Sequence, residues 1–281
     1  MTNAVADTRS TTTDTNTDIT MRTVLPSDVV QEGSHAGNSQ PIISLFEAEN
    51  YAKTDGANIN ELYDKMKQSD YEQFLVHVNY TEPYYVCDTI LNSVDDGGLG
   101  FDTTNKNKKD SKDNDINISI LDFGCGTGIV GHLIKDAGYT NIWGLDASEK
   151  FVEMINTNGI YKGAEVMFLG RGPNTFPTKY HNKYDLVTGT GVFLAKHIPS
   201  EAFYDAHQAL KVGGIFCFTL RSNLWVTGHE LGYKDVIDKL VAEKKFEYIH
   251  SATKTFWRGK EEGTGLFARQ QSKLFALRKI N

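Results

Sequence analysis

Residues 116–146, INISILDFGCGTGIVGHLIKDAGYTNIWGLD, constrain this chain more than any other segment. Ile116, Ile118, Ile120 and Leu121 supply an apolar strand that ends at Asp122. Gly124, Gly126 and Gly128 follow, a turn in which no Cβ keeps a ligand away from the backbone. Ile129, Leu133, Ile134 and Ala137 recur at helical spacing, so the turn opens a helix whose first N–H groups have no partner within it. A second strand over 141–146 also ends in an acid, Asp146. The unit is the start of a parallel α/β sheet, and its turn is a seat for a nucleotide.

Two nucleotides compete for that seat. Gly126-Thr127-Gly128-Ile129-Val130-Gly131 matches the dinucleotide fingerprint G-x-G-x-x-G, which keeps an NAD(P)-dependent oxidoreductase as an alternative. Asp122 argues against it, because a carboxylate at the strand tip repels a pyrophosphate. S-adenosyl-L-methionine has no phosphate and presents an ammonium and a sulfonium, which an acid followed by a glycine turn suits. Asp146 is placed to accept hydrogen bonds from ribose hydroxyls, and it equally suits the N-cap of a helix beginning near Ser148.

Asp122-Phe123-Gly124-Cys125-Gly126-Thr127-Gly128 resembles the first motif of the class I S-adenosylmethionine-dependent methyltransferases, an acid followed by G-x-G-x-G. The resemblance continues through Asp146-Ala147-Ser148, through 184–188 as a fourth strand, and through Leu210-Lys211-Val212-Gly213-Gly214 into 215–220 as a fifth. It covers roughly 61–280. Within the class, Leu62-Tyr63-Asp64-Lys65, Tyr71-Glu72 and Thr219-Leu220-Arg221-Ser222-Asn223 resemble the methyltransferase-like family named for the Williams–Beuren chromosomal region, with Met66 where that family has tryptophan. The resemblance implies S-adenosyl-L-methionine as cofactor. It implies a site formed by Asp122, Gly124, Cys125, Gly126, Thr127, Gly128, Asp146, Ala147, Thr188 and Gly189, with Tyr63 and Tyr71 carried over from the narrower motif.

Four segments follow from composition and pattern. Residues 1–40 are rich in Thr, Ser, Asp and Asn and nearly free of aromatics, so they cannot bury enough apolar surface to offset chain entropy and are expected to be a disordered tail. Residues 41–101 read as an N-terminal helical cap or lid. Residues 102–115 read as a low-complexity insertion in which lysines and aspartates balance. Residues 116–281 hold the cofactor-binding core. There strands over 116–122, 141–146, 165–169, 184–188 and 215–220 alternate with helices, and 246–257 and 273–280 read as two further strands with no helix between. The prediction is an α/β, Rossmann-like, seven-stranded, mostly parallel sheet with helices on both faces and a C-terminal antiparallel hairpin.

Net charge is −7, which offers no general attraction for phosphate backbones or anionic membranes. No transit peptide, signal peptide or membrane span is visible. Cys87, Cys125 and Cys217 are far apart and odd in number, which fits a reducing compartment, the cytoplasm with the nucleus not excluded, and gives no disulfide framework. No zinc-type spacing occurs, so no metal site is expected.

Beyond the glycine turn, Leu169-Gly170-Arg171-Gly172 stands where the class commonly has an acid that meets the adenine amino group. Ala147 and Phe168 are the apolar candidates to sandwich that ring. Thr188-Gly189-Thr190-Gly191 lies where open α/β sheets bind ligands. His197 fits the class's Leu-x-His-Ile/Val-Pro pattern and is a candidate to orient or deprotonate an acceptor, with a structural hydrogen bond as the other reading. Arg221, Asn223 and Trp225 could meet a substrate carboxylate or amide. Cys125 reads as a small side chain filling the turn rather than a nucleophile. The expected activity is in-line methyl transfer to a small-molecule or protein acceptor, with a catalytically silent scaffold as a further alternative. Oligomeric state and acceptor atom are open at this stage.

Overall fold

In β1 (Ile120–Phe123) successive side chains enter opposite cores: Ile120 joins one apolar cluster, while Leu121 and Phe123 join the other. That alternation is what a strand covered on both faces requires. The computed structural model describes residues 56–92, 98–101, 118–172, 174–259 and 269–281. The expected tail over 1–40 and all of the insertion at 102–115 therefore lie outside the described residues, as does part of the expected cap at 41–101.

Among the described residues three helices precede the sheet: α1 (Gly56–Lys65), α2 (Gln68–His77) and α3 (Glu82–Leu91), the last with Pro83 in its first turn. After β1 come α4 (Ile129–Lys135), β2 (Ile142–Asp146), α5 (Glu149–Asn158), β3 (Gly163–Val166), β4 (Tyr184–Gly189), α6 (Ala202–Ala209), β5 (Leu210–Arg221), α7 (Tyr233–Ala242), β6 (Phe246–Tyr248), β7 (Lys254–Arg258) and β8 (Gln270–Lys279). The strands form one sheet in the order β3-β2-β1-β4-β5-β8-β6, with β7 also paired to β8. Pairs among β1 to β5 are parallel, and those of β8 with β5, β6 and β7 are antiparallel.

Among the described residues the sheet has eight strands rather than the expected seven. The strand expected over 246–257 is two strands, because the turn at His250–Ala252 breaks it: residues 249–253 stand opposite only Phe275 and Ala276 on β8. The third strand is displaced toward its N-terminus, Gly163–Val166 instead of 165–169, since pairing with β2 begins at Trp143↔Gly163 and the chain leaves the sheet after Val166. The described part of the expected cap, residues 56–92, is helical in the three segments α1, α2 and α3.

α3, α4 and α5 cover one face, where Val86, Cys87, Ile90, Val130, Ile134, Val152 and Ile155 are buried. On the other face α6 and α7 pack on Phe216, Phe218 and Leu277. Phe193, from the loop after β4, is driven into this second core, with ring centroids 4.9 Å from Phe203 and 5.6 Å from Phe218. Each such aromatic pair adds about 0.5–1.5 kcal/mol beyond area burial. Phe193 thereby pins the start of a loop that lines the site.

Candidate functional site

A cavity of about 760 Å³ opens at the C-terminal ends of β1, β2 and β4 and is roofed by α1 and α2. It lies within the usual range for small-molecule sites and at the position where open α/β sheets bind ligands.

The glycine turn forms its floor. Gly124 has φ +64, and a Cβ there would come within 2.6 Å of the Val192 side chain, so only glycine lets the turn pass under the loop after β4. Gly126, with φ +53, has open space where a Cβ would stand. Gly124 and Cys125 donate their N–H groups to the Leu145 carbonyl, at 2.7 and 3.2 Å, which ties the turn to β2.

Asp146 braces the same turn. Its Oδ2 accepts the Gly126 N–H at 2.8 Å and its Oδ1 accepts the Ser148 N–H at 2.9 Å. The N-cap of α5 is Ser148, whose hydroxyl accepts the Phe151 N–H and donates to Asp64 Oδ1 at 2.5 Å. Asp64 thus docks α1 onto the positive end of α5. Burial raises the Asp146 pKa, and the backbone N–H groups of Ser148, Gly126 and Ala147 oppose that shift.

Asp122 lies beneath the turn and is 2% exposed. Thr188 donates to its Oδ1 at 2.6 Å and Tyr161 to its Oδ2 at 2.8 Å. Burial pushes its pKa up to about 6, against the two hydroxyl hydrogen bonds and with a smaller push from Asp146. Tyr161, on the loop between α5 and β3, also accepts the Gly131 N–H at 3.1 Å, one of the first-turn donors of α4. A Cβ at Gly131 would lie 2.2 Å from the Tyr161 ring. The last glycine of the dinucleotide-like string therefore makes room for a tyrosine.

The cavity brings together Tyr63, Tyr71, Asp122, Gly124, Cys125, Gly126, Thr127, Asp146 and Ala147. Gly128, Thr188 and Gly189 do not line it. Gly128 opens α4 with φ +86, Thr188 holds Asp122, and Gly189 packs against Phe193. Thr190 and Gly191, the next two residues, line the cavity instead. The Cys125 thiol is buried against Gly144, and burial holds its pKa well above the usual thiol value, which disfavours the thiolate.

At the far end, after β3, Val166 and Phe168 expose apolar surface on the cavity wall, with the Arg171 guanidinium 4.4 Å above the Phe168 ring. The Gly170 N–H there is taken by Asp205 Oδ2 at 2.6 Å, an acid that arrives from α6 rather than from the strand.

At the mouth, Tyr63 and the Nε2 of His197 are 2.8 Å apart, and Nδ1 of His197 faces the Ala195 carbonyl at 3.0 Å. A carbonyl only accepts, so Nδ1 carries the proton, Nε2 is the acceptor and Tyr63 donates. Burial lowers the His197 pKa to about 4, with the nearby Arg221 charge acting the same way, so the ring is neutral at physiological pH. Tyr233 holds the loop in place by donating to the carbonyls of Ile198 and Leu194. Tyr161, Asp205 and Arg258 were not singled out by sequence pattern, because each meets its partner across a long stretch of chain and carries no local signature; Asp64 stood in a quoted motif, but its contact with Ser148 did not show there. Among the described residues no cluster of His, Cys, Asp and Glu could hold a metal ion, and no helix is long and apolar enough to cross a membrane.

Residues 120–214 match the family model described as methyltransferase domain. Human methyltransferase-like protein 27 is 29% identical over 119 residues, 42% of this chain and 45% of that protein, so the match spans less than half of that relative. An S-adenosylmethionine-dependent methyltransferase from Leishmania major superposes with a TM-score of 0.51 at 17% identity, covering 79% of this chain and 82% of that one. A TehB-like S-adenosylmethionine-dependent methyltransferase from Corynebacterium glutamicum aligns over 58% of this chain and 80% of its own, with a TM-score of 0.40 and 19% identity. The resemblance to the class I methyltransferases holds, and the Rossmann-like fold of that class is the fold of this chain.

Proposed function

We propose that this chain, built on a class I methyltransferase domain that takes S-adenosylmethionine as its cofactor, transfers the cofactor's methyl group to a small-molecule or protein acceptor. The observation that carries this reading is the pair of strand-tip acids, Asp122 and Asp146, on either side of a glycine turn in one cavity. Their charge suits a ligand with an ammonium and a sulfonium and opposes a pyrophosphate, which sets aside the oxidoreductase alternative.

In this reading Gly124, Cys125, Gly126 and Thr127 present backbone to the cofactor, and Gly128 opens α4 beside it. Asp146 takes the ribose hydroxyls through lone pairs not used by Gly126 and Ser148. Ala147, Val166 and Phe168 flank the adenine, and the Asp205 carboxylate holds the Leu169–Gly170 turn in place of the acid that the class commonly has there. Thr188 and Gly189 act from below, by fixing Asp122 and the tip of β4. Tyr63 and Tyr71 close over the cofactor and exclude water.

When bound, S-adenosylmethionine supplies a methyl on a sulfonium, a leaving group that needs no protonation. The residues of this chain then need mainly to hold the acceptor in line. His197 is neutral, with Nδ1–H on the Ala195 carbonyl and its Nε2 lone pair on Tyr63, so in this reading it aligns an acceptor hydroxyl or amine through the Tyr63 hydroxyl and the loop after β4 rather than by direct contact. A base with a pKa near 4 removes little proton density in the ground state, so its contribution is alignment. A reducing compartment, the cytoplasm or nucleus, suits three buried free cysteines.

Calorimetric titration with S-adenosylhomocysteine, against reduced nicotinamide dinucleotide and with Asp146→Ala, tests the reading. One-to-one micromolar binding that Asp146→Ala weakens about tenfold or more supports it. Nicotinamide binding in its place would overturn it. Labelled S-adenosylmethionine with fractionated small molecules and proteins then tests transfer, and binding without any transfer would favour a silent scaffold.

A further inference from the structure

Charge is unevenly spread in the cavity. Its cofactor end is lined by Asp64, Asp122, Asp146 and Glu149, with Arg171 over Phe168 at the adenine wall, whereas Lys196, Arg221 and Arg258 line the wall beyond the tip of β4. Neutral His197 lies among these cations.

Register puts the two arginines on one face. Arg221 on β5 pairs with Ser272 on β8, and Ser272 pairs on its other side with Phe256 on β7, two residues before Arg258. Phe256 and Cys217 pack together under α3, so the two-residue repeat of a strand places Arg221 and Arg258 on that same face. With neighbouring strands about 4.8 Å apart, β5 lies roughly 10 Å across the sheet from β1, and β7 roughly twice as far. Both arginines are rooted well beyond the glycine turn.

The guanidinium of Arg258 is oriented from behind. Its Nη1 donates to Glu82 Oε1 at 3.2 Å, and the group stands 5.9 Å from the Tyr80 ring centroid. Glu82 is 1% exposed, in the first turn of α3. A carboxylate that deeply buried stays only because the cation faces it, and the pair in turn fixes where the remaining N–H groups of the fork point. Thr190, also lining the cavity, is 7% exposed and its hydroxyl has no hydrogen-bond partner. Buried hydroxyls are ordinarily paired, so this one is available to a ligand.

We propose that the methyl acceptor is a small organic acid whose carboxylate is held by Arg221 and Arg258 beside the Thr190 hydroxyl. The assignment rests on the methyltransferase reading of the same cavity. A single negative charge suits a cation pair that Glu82 has already partly neutralised, and the planar carboxylate matches the guanidinium fork.

The test uses the full chain saturated with S-adenosylhomocysteine and titrated with benzoate, with its neutral isostere benzamide, and with inorganic phosphate. Benzoate is expected to bind at least tenfold tighter than benzamide. Arg258→Gln and, separately, Arg221→Gln should each remove most of that preference while leaving the S-adenosylhomocysteine affinity within about twofold. Arg221→Gln, which leaves the Arg258–Glu82 ion pair in place, keeps the test decisive where Arg258→Gln unfolds the chain. Equal binding of benzoate and benzamide overturns the proposal, as does phosphate binding tenfold tighter than benzoate. Variants that weaken S-adenosylhomocysteine but not 5′-methylthioadenosine, which lacks the amino-acid end, overturn it by assigning the arginines to the cofactor. A folded wild-type chain that binds no S-adenosylhomocysteine instead overturns the methyltransferase reading, and the acceptor assignment falls with it.

Discussion

The Tyr161 hydroxyl donates to Asp122 Oδ2 at 2.8 Å while accepting the Gly131 N–H, so one phenol ties the acid of the first strand to the first turn of the helix after it. All three groups are buried. Tyr161→Phe leaves the Gly131 N–H and one oxygen of Asp122 without this partner, and a loss of about 1–3 kcal/mol in unfolding free energy is expected. S-adenosylhomocysteine affinity should fall with it, because the turn rests on Asp122. Gly131→Ala should reproduce both losses by displacing the ring. Urea unfolding beside ligand titration checks this, and an unchanged affinity in both variants would show that the turn holds its shape without Asp122.

Tyr63 joins α1 to the loop after β4 through the neutral His197 ring. Tyr63→Phe removes that hydrogen bond, while the ring keeps its contacts with Tyr71 and Phe151, at 5.8 and 5.7 Å. A loss of about 1 kcal/mol in cofactor affinity, roughly fivefold, is expected with little change in global stability. Amide exchange over 56–65 should quicken in the variant, and exchange that is the same in both proteins would remove the latch role.

Stability should change little between pH 4 and pH 6.5, because two pairs of groups oppose each other there. Burial raises Asp122 and Asp205 to about 6, so in this window the folded state binds more protons than the unfolded state, and each acid lowers stability as pH rises. Burial lowers His197 and His207 to about 4, so the unfolded state binds more protons, and each ring raises stability as pH rises. Asp205→Asn should therefore tilt the profile upward with pH and His207→Gln should tilt it downward. Denaturation midpoints across the window read the slopes, and parallel profiles for the wild type and both variants would contradict these environments.

Lys279, 5% exposed, donates to Asn182 Oδ1, the His207 carbonyl and the Leu210 carbonyl, each at 2.8 Å. It caps the C-terminal end of α6 with an ammonium, where the helix dipole favours a cation. Lys279→Met leaves three acceptors without this donor, and a cost of about 3 kcal/mol is expected, read as a lowered denaturant midpoint. A midpoint within experimental error of the wild type would mean that water replaces the ammonium there.

The unit from β1 to β2 was legible because its parts are contiguous: an apolar strand, glycines that need positive φ, a helical repeat and a terminal acid all fall in one stretch. His197 and Tyr63 were legible one at a time but not as partners, since nothing local says that a lid helix will meet a loop 134 residues further on. The break between β6 and β7 was hidden for a related reason. Residues 246–257 alternate like a single strand, and only the length of β8 opposite them sets how many can pair.

The amino-acid sequence by itself determined that a parallel α/β sheet would form, where its first turn would lie and that the turn would favour a cationic nucleotide, because these depend on periodicity and on the residue types of one short segment. Only the tertiary structure decided that Asp122 would be buried under Tyr161 and Thr188, that Asp205 would hold the turn after β3, and that Arg221 and Arg258 would share a face. Those relationships join residues far apart in the chain, and their energies arise when the closing of the sheet and its helices removes water from both partners at once.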